Sequence, residues 1–124
     1  MKITTLLLMF ALSFSLPLAG FAAEESASGE VTGKCKYPKQ PQIPNGRSAT
    51  EAELVEAQGK MKAYMAEGDD YIACITEVEK SWGAETSEEQ KAIIVLFNNK
   101  VVDDMQAVAD LFNAAVRAYK GKKK

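Results

Sequence analysis

Histidine is absent from this 124-residue chain, and cysteine occurs only twice. The chain therefore lacks the side chain that most often serves as a general acid or base, and it has few ligands for a zinc centre. Carboxylates remain, with Asp69-Asp70 and Asp103-Asp104 as the most concentrated pairs. Adjacent residues on a helix point about 100° apart and do not converge on one ion, so we expect both pairs on solvated surface. We predict that the protein is not an enzyme and binds no cofactor or metal.

A surplus of charge of either sign is also missing, because 15 basic and 17 acidic residues give a formal net charge of −2. Proteins that bind nucleic acid carry a basic surface that neutralises phosphates. A near-neutral chain with mixed charges predicts no nucleic-acid partner.

Long apolar runs are confined to the N-terminus, where Met1 and Lys2 precede an apolar stretch from Ile3 to Leu18. The stretch is short for a membrane-spanning helix, which needs roughly 20 residues. Gly20-Phe21-Ala22 then places small residues at the third and first positions before a cut. These features are typical of a secretory signal peptide, which we predict over residues 1–22. The protein is then periplasmic or secreted, with no membrane span.

The two cysteines, Cys35 and Cys74, both follow the predicted cleavage site. In an exported chain, two cysteines are most simply one disulfide; the alternative, a metal site, finds no histidine to complete it. Closing a loop of roughly 40 residues destabilises the unfolded chain by about 4 kcal/mol in the chain-entropy model.

Two short segments precede the helical part of the chain. Residues 23–34 are small, acidic or glycine-rich, so we predict that they are disordered. In residues 35–47, Pro38, Pro41 and Pro44 recur at the three-residue period of a polyproline II helix. This segment, called the arm below, is predicted to be extended and to end in a turn at Asn45-Gly46.

Two helices follow, predicted at about 48–82 and 86–119. Ser48 or Thr50 caps the first helix and Thr86 the second, each with glutamate three residues later. Gly83 ends the first helix as its C-terminal cap. The apolar positions of the first helix follow one heptad seam: Leu54, Ala57, Met61, Tyr64, Gly68, Tyr71, Ile75, Val78 and Trp82.

The second helix is apolar over a wider part of its surface. It carries three apolar columns at heptad spacing: Ile94, Val101, Val108 and Ala115; Met105, Phe112 and Tyr119; and Val95, Val102, Ala109 and Val116. A basic tail follows at residues 120–124. Because about three residues separate the helices, the predicted fold is all-α, an antiparallel two-helix hairpin with the arm tied to it by the disulfide.

A length comparison agrees with this arrangement. Cys74 lies about 39 Å along the first helix from Ser48, at 1.5 Å per residue. The arm from Cys35 to Ser48 spans about 40 Å at polyproline II rise. We therefore expect the arm to lie along the first helix and to shield the apolar cluster at residues 93–97; a second protomer or a partner is the alternative cover.

The string of residues around the arm also resembles a family of small exported proteins of Gram-negative bacteria. The resemblance covers residues 35–75, and these residues carry it: Cys35, Pro38, Pro41, Pro44, Gly46, Ala49, Thr50, Glu53, Leu54, Ala57, Gln58, Lys62, Tyr64, Tyr71 and Cys74. It implies a bacterial periplasmic or secreted setting, and that the cysteine pair and the arm belong together. It brings no activity or substrate with it.

Two classes of function fit these patterns. Two helices bury one seam, so the third apolar column of the second helix, which contains Val95, is surplus to the hairpin. This surplus column predicts an interaction surface for a homodimer or an envelope protein. That surface comprises Val95, Leu96, Phe97, Val102 and Val116. The alternative is a small-ligand or ion-binding module with an aromatic pocket between arm and hairpin, lined by Tyr37, Tyr64, Tyr71 and Trp82.

Overall fold

A computed structural model describes residues 21–122 of the chain, with the side chains of residues 26–122. This part is helical and contains no strand. Its elements are α1 (Phe21–Lys34), α2 (Glu51–Trp82), a 3-10 helix (Gly83–Glu85) and α3 (Glu88–Lys122). Residues 1–20 of the predicted signal peptide lie outside the described residues. Lys123 and Lys124 also lie outside them. Between residues 21 and 122, no helix combines the length and apolar character that a membrane span requires.

The termini of α2 follow the predicted capping signals. The Thr50 hydroxyl accepts a hydrogen bond from the Glu53 backbone N–H, and the Glu53 carboxylate accepts one from the Thr50 backbone N–H. This reciprocal pair selects Thr50 over Ser48 as the N-cap. At the other end, Gly83 has φ 75°, a conformation that residues with a Cβ rarely adopt.

The prediction of the α3 cap was wrong by one residue. Ser87 and Gln90 form the reciprocal pair, with the Gln90 backbone N–H bonded to the Ser87 hydroxyl and the Ser87 backbone N–H to the Gln90 side chain. Thr86 instead donates its hydroxyl to the Gly83 carbonyl, because the intervening 3-10 turn brings those groups together. α3 also continues through residues 120–122, where lysines in the last turn are favoured by the helix dipole.

The prediction of disorder for residues 23–34 differs from the structure, in which α1 occupies this segment. Ala27 and Val31, one helical turn apart, are both buried, and Val31 packs in the main core cluster. Two small apolar residues are a weak periodic signal in the sequence. Burial against α2 and α3 stabilises this helix, since tertiary contacts outweigh weak local preference.

The core divides into two clusters along α2 and α3. The larger one is built from Val31, Cys35, Tyr71, Ile75, Val78, Ile94 and Val101. The smaller one contains Ala49, Leu54 and Ala115. The predicted seam of α2 is confirmed: all of its positions are buried except Met61 and Trp82, which are half-buried.

The arm contacts both long helices. The Cys35–Cys74 disulfide is present, with its Cα atoms 5.7 Å apart, and attaches the arm to α2. At its other end, Gly46 lies so close to the Ala115 backbone of α3 that a Cβ at this position would clash. Asn45 accepts backbone hydrogen bonds from Ser48 and Ala49, which closes the turn into α2.

Candidate functional site

The side of the α2–α3 layer under the arm carries a cluster of polar and aromatic side chains. The Tyr37 hydroxyl donates a 2.6 Å hydrogen bond to Asp104 Oδ2, which also accepts a 2.7 Å bond from Lys100 Nζ. Lys100 Nζ lies 5.2 Å from the centre of the Tyr37 ring, and that ring meets Tyr71 edge-on with centroids 4.9 Å apart. The cluster therefore holds the arm against α3, at a point the disulfide does not reach.

The charges of this cluster are set by their neighbours. Lys100, and after it the Tyr37 hydroxyl, lower the pKa of Asp104 below its usual range. Burial, followed by the hydrogen bond to Asp104, raises the pKa of Tyr37 well above its usual value. A charged Asp104 and a neutral Tyr37 stabilise each other, so the pair acts as a fixed hydrogen bond at neutral pH. Asp104 is half-buried, so the prediction that both aspartate pairs lie on solvated surface was wrong at this position, because Tyr37 covers it.

Tyr64 lies deeper beside the same cluster. Its hydroxyl is buried and makes no hydrogen bond of ordinary geometry with the described residues. Burial raises the pKa of Tyr64, and the negative charge of Asp104 adds to that effect, while the nearby Gln40 side chain opposes it.

The four aromatic residues predicted to line a ligand pocket are not brought together in one cavity. A cavity of about 250 Å³ lies between the arm and α2, but among the four only Tyr71 lines it; its other lining residues are Lys36, Pro38, Glu67, Asp70 and Cys74. Tyr37 and Tyr64 are packed into the layer. Trp82 points to α1, where its Nε1 donates a 2.7 Å hydrogen bond to Glu30. Lys34 first, and then Trp82, lower the pKa of Glu30.

Three of the five residues predicted to form the apolar surface of α3 are exposed. Val95, Leu96 and Val102 are 56%, 60% and 43% exposed. Val116 is half-buried. Phe97 is also half-buried, and it packs against the larger core cluster, which assigns its ring in part to the core. The arm therefore leaves Val95, Leu96 and Val102 uncovered.

Part of this column lines a groove that the sequence did not predict. The groove has a volume of about 340 Å³ and lies between α2 and α3; its lining residues are Met65, Asp69, Ile72, Val102, Met105, Gln106 and Ala109. Met65 and Ile72 are seven residues apart and border the α2 seam, which is the signal that would have found them. Methionine side chains adapt to varied partners, so this α2–α3 groove suits a bound apolar surface.

Two further sets of residues bear on function. Gln58 and Lys62, which belong to the string that carries the family resemblance, are both exposed on α2. Within residues 21–122, no group of three or more histidine, cysteine or acidic side chains is arranged to hold a metal ion.

Comparison of the chain with models of protein families, with curated proteins and with solved structures finds no match.

Proposed function

We propose that this is an exported, non-enzymatic interaction protein, which binds a second copy of itself or another protein of the bacterial envelope through the apolar face of α3. The predicted signal peptide and the disulfide support export, because disulfides persist in oxidising compartments. The resemblance of residues 35–75 to small exported Gram-negative proteins points to the same setting.

The scaffold in this proposal is an antiparallel hairpin of α2 and α3, with the extended arm on one side. Two contacts support it. Lys122 near the end of α3 donates a hydrogen bond to the Ala49 carbonyl just before α2, and Gly68 in the middle of α2 lies against Met105 in the middle of α3. A hairpin with one side covered leaves the other side available.

The observation that carries the proposal is the exposure of Val95, Leu96 and Val102 on α3, where Val102 also lines the α2–α3 groove. Isolated exposed apolar residues are ordinary, but a contiguous apolar surface marks an interaction site. The centres of interfaces are poor in charge and rich in methionine. Of the seven residues that line the groove, only Asp69 is charged, and two are methionines.

Site-specific photo-crosslinking in living cells tests the proposal. A photoreactive residue replaces Val95, and the matched control replaces Ala107, which is also exposed on α3 but lies off the apolar column. We expect a discrete adduct from position 95 and none from position 107. An adduct of twice the protein's own mass identifies a homodimer, and a heavier discrete adduct identifies an envelope partner. No adduct at position 95, or equal adducts at both positions, contradicts the proposal.

The second candidate function is binding of a small ligand or ion. The cavity of about 250 Å³ beside Tyr71 is the observation in its favour, since it lies between the arm and α2 as this reading requires. Ligand sites are typically about 300–1,000 Å³, so this one is small. A screen of envelope metabolites and divalent ions by thermal shift tests it, and Asp70→Asn, at an exposed lining residue, is the variant that should reduce any shift found.

A further inference from the structure

The cations near the end of α3 meet in one cleft. Arg47, in the turn before α2, lines it together with Arg117 and Lys122 of α3. Ala118 and Gly121 complete the lining, and the volume is about 570 Å³. The two arginines are distant in the sequence, so the tertiary structure alone brings them to the same cleft.

Within the described part of the chain, the two arginines of this cleft have no carboxylate partner, in contrast to five of the lysines. These five lysines pair with acidic residues one helical turn away: Lys34 with Glu30, Lys60 with Glu56, Lys80 with Glu77, Lys91 with Glu88, and Lys100 with Asp104. Within the described part of the chain, neither Arg47 nor Arg117 joins such a pair. Lys122 is held in place by the Ala49 carbonyl and by the Tyr119 ring, 4.8 Å from its Nζ.

A simpler explanation accounts for only some of these cations. Positive side chains at the C-terminus of a helix interact favourably with its free carbonyls, which explains Lys120 and Lys122 in the last turn of α3. It does not explain Arg47, which belongs to a different element. It also does not explain Arg117, which lies before that last turn.

We infer that this cleft binds a phosphate group. Guanidinium groups present paired N–H donors that match the oxygens of phosphate, and they do so better than an ammonium group. A phosphate ester offers several acceptor oxygens and up to two charges, which suits two arginines and a lysine around one cleft. Lys120, Lys123 and Lys124 add positive charge to the same stretch of sequence. The site is separate from the apolar face of α3 and stands independently of the proposed function.

The same phosphate group occurs in two kinds of molecule, a soluble phosphate and a phospholipid with its headgroup. Titration of the purified protein with pyrophosphate tests the first, and sedimentation with phosphatidylglycerol vesicles tests the second. Binding in either experiment supports the site and identifies the source of the phosphate. Binding in neither experiment overturns the inference. Because exposed ionic contacts are screened, we expect the affinity to fall as salt is raised.

Variants distinguish a specific phosphate site in the cleft from general electrostatic attraction to the protein. Arg47→Gln with Arg117→Gln is expected to weaken binding about tenfold or more, because two forked donors are lost. Lys39→Gln with Lys62→Gln changes the net charge equally at exposed positions outside the cleft and is expected to leave the affinity within about twofold. Arg47→Lys with Arg117→Lys keeps the charge but loses the paired N–H donors of the guanidinium groups, and this variant should also bind weakly. If the control pair weakens binding as much as the arginine pair, or if the lysine pair binds normally, the inference is overturned.

Discussion

Val101 and Val102 are the same residue type at consecutive positions of α3, yet one lies in the core and the other at the surface. Val101 is 0% exposed in the larger core cluster, whereas Val102 is 43% exposed at the edge of the α2–α3 groove. Successive residues of a helix point about 100° apart, so one step along the chain moves a side chain from the core to the surface. Hydrophobicity alone therefore does not distinguish a residue that stabilises the fold from one available to a partner.

The same contrast separates the two sides of the α2–α3 layer. On one side, the arm and α1 cover the helices through the disulfide, the Tyr37–Asp104 hydrogen bond and the Val31 contacts. On the other side, no segment of the described chain covers Val95 or Val102. The covered side is the one whose residues should control stability, and the open side is the one whose residues should control association.

Paired aspartate substitutions at Val101 and Val102 should show the largest difference. Val101→Asp buries a charge without a partner, so we expect a loss of about 4 kcal/mol or more in the free energy of unfolding. Val102→Asp places the charge in water and should cost less than about 0.5 kcal/mol. Urea denaturation measures both. In the crosslinking experiment, Val102→Asp should nevertheless abolish the adduct from position 95. Similar stability losses in the two variants would contradict the assignment of Val101 to the core and Val102 to the surface.

Removing the disulfide tests how firmly the covered side is held. Cys35→Ser with Cys74→Ser is expected to lower the free energy of unfolding by about 4 kcal/mol, because a loop closed over a separation of 39 residues becomes free in the unfolded chain. Urea denaturation, with the reduced natural protein as a second sample, provides the measurement. Limited proteolysis should then cut residues 36–47 first. An arm that stays resistant after reduction would show that Tyr37 and Gly46 hold it without the covalent bond.

Tyr37→Phe tests the smaller, non-covalent attachment of the arm. Loss of a hydrogen bond to a charged group should cost about 1.5–3 kcal/mol at neutral pH. Since the pKa of Asp104 is lowered in the fold, its contribution is present above the unfolded pKa of about 3.9 and is lost as the pH falls through the folded value. The stability difference between the natural protein and Tyr37→Phe should therefore shrink below about pH 4. Thermal unfolding from pH 2 to 7 measures it, and a difference independent of pH would exclude a charged Asp104 as the partner.

Residues that follow a helical period were predicted well. The structure confirms four features that follow from spacing and side-chain type: the seam of α2, the Thr50–Glu53 cap, the glycine at position 83, and the column at Ile94, Val101, Val108 and Ala115. The Cys35–Cys74 pair followed from the export signal and the cysteine count. Differences arose where a residue's neighbours come from another element: the helix α1, the burial of Asp104 under Tyr37, and Trp82, which bonds to Glu30 of α1 and lies apart from Tyr37, Tyr64 and Tyr71.

The sequence by itself determined the helical class, the disulfide and the apolar surplus of α3, because periodicity, capping and cysteine chemistry are local or compositional properties. Only the tertiary structure decided that residues 23–34 pack as a helix, where Trp82 and Tyr37 find their hydrogen-bond partners, and which cations share a cleft. Those outcomes depend on burial and on distances between segments far apart in the chain, and no local pattern encodes them.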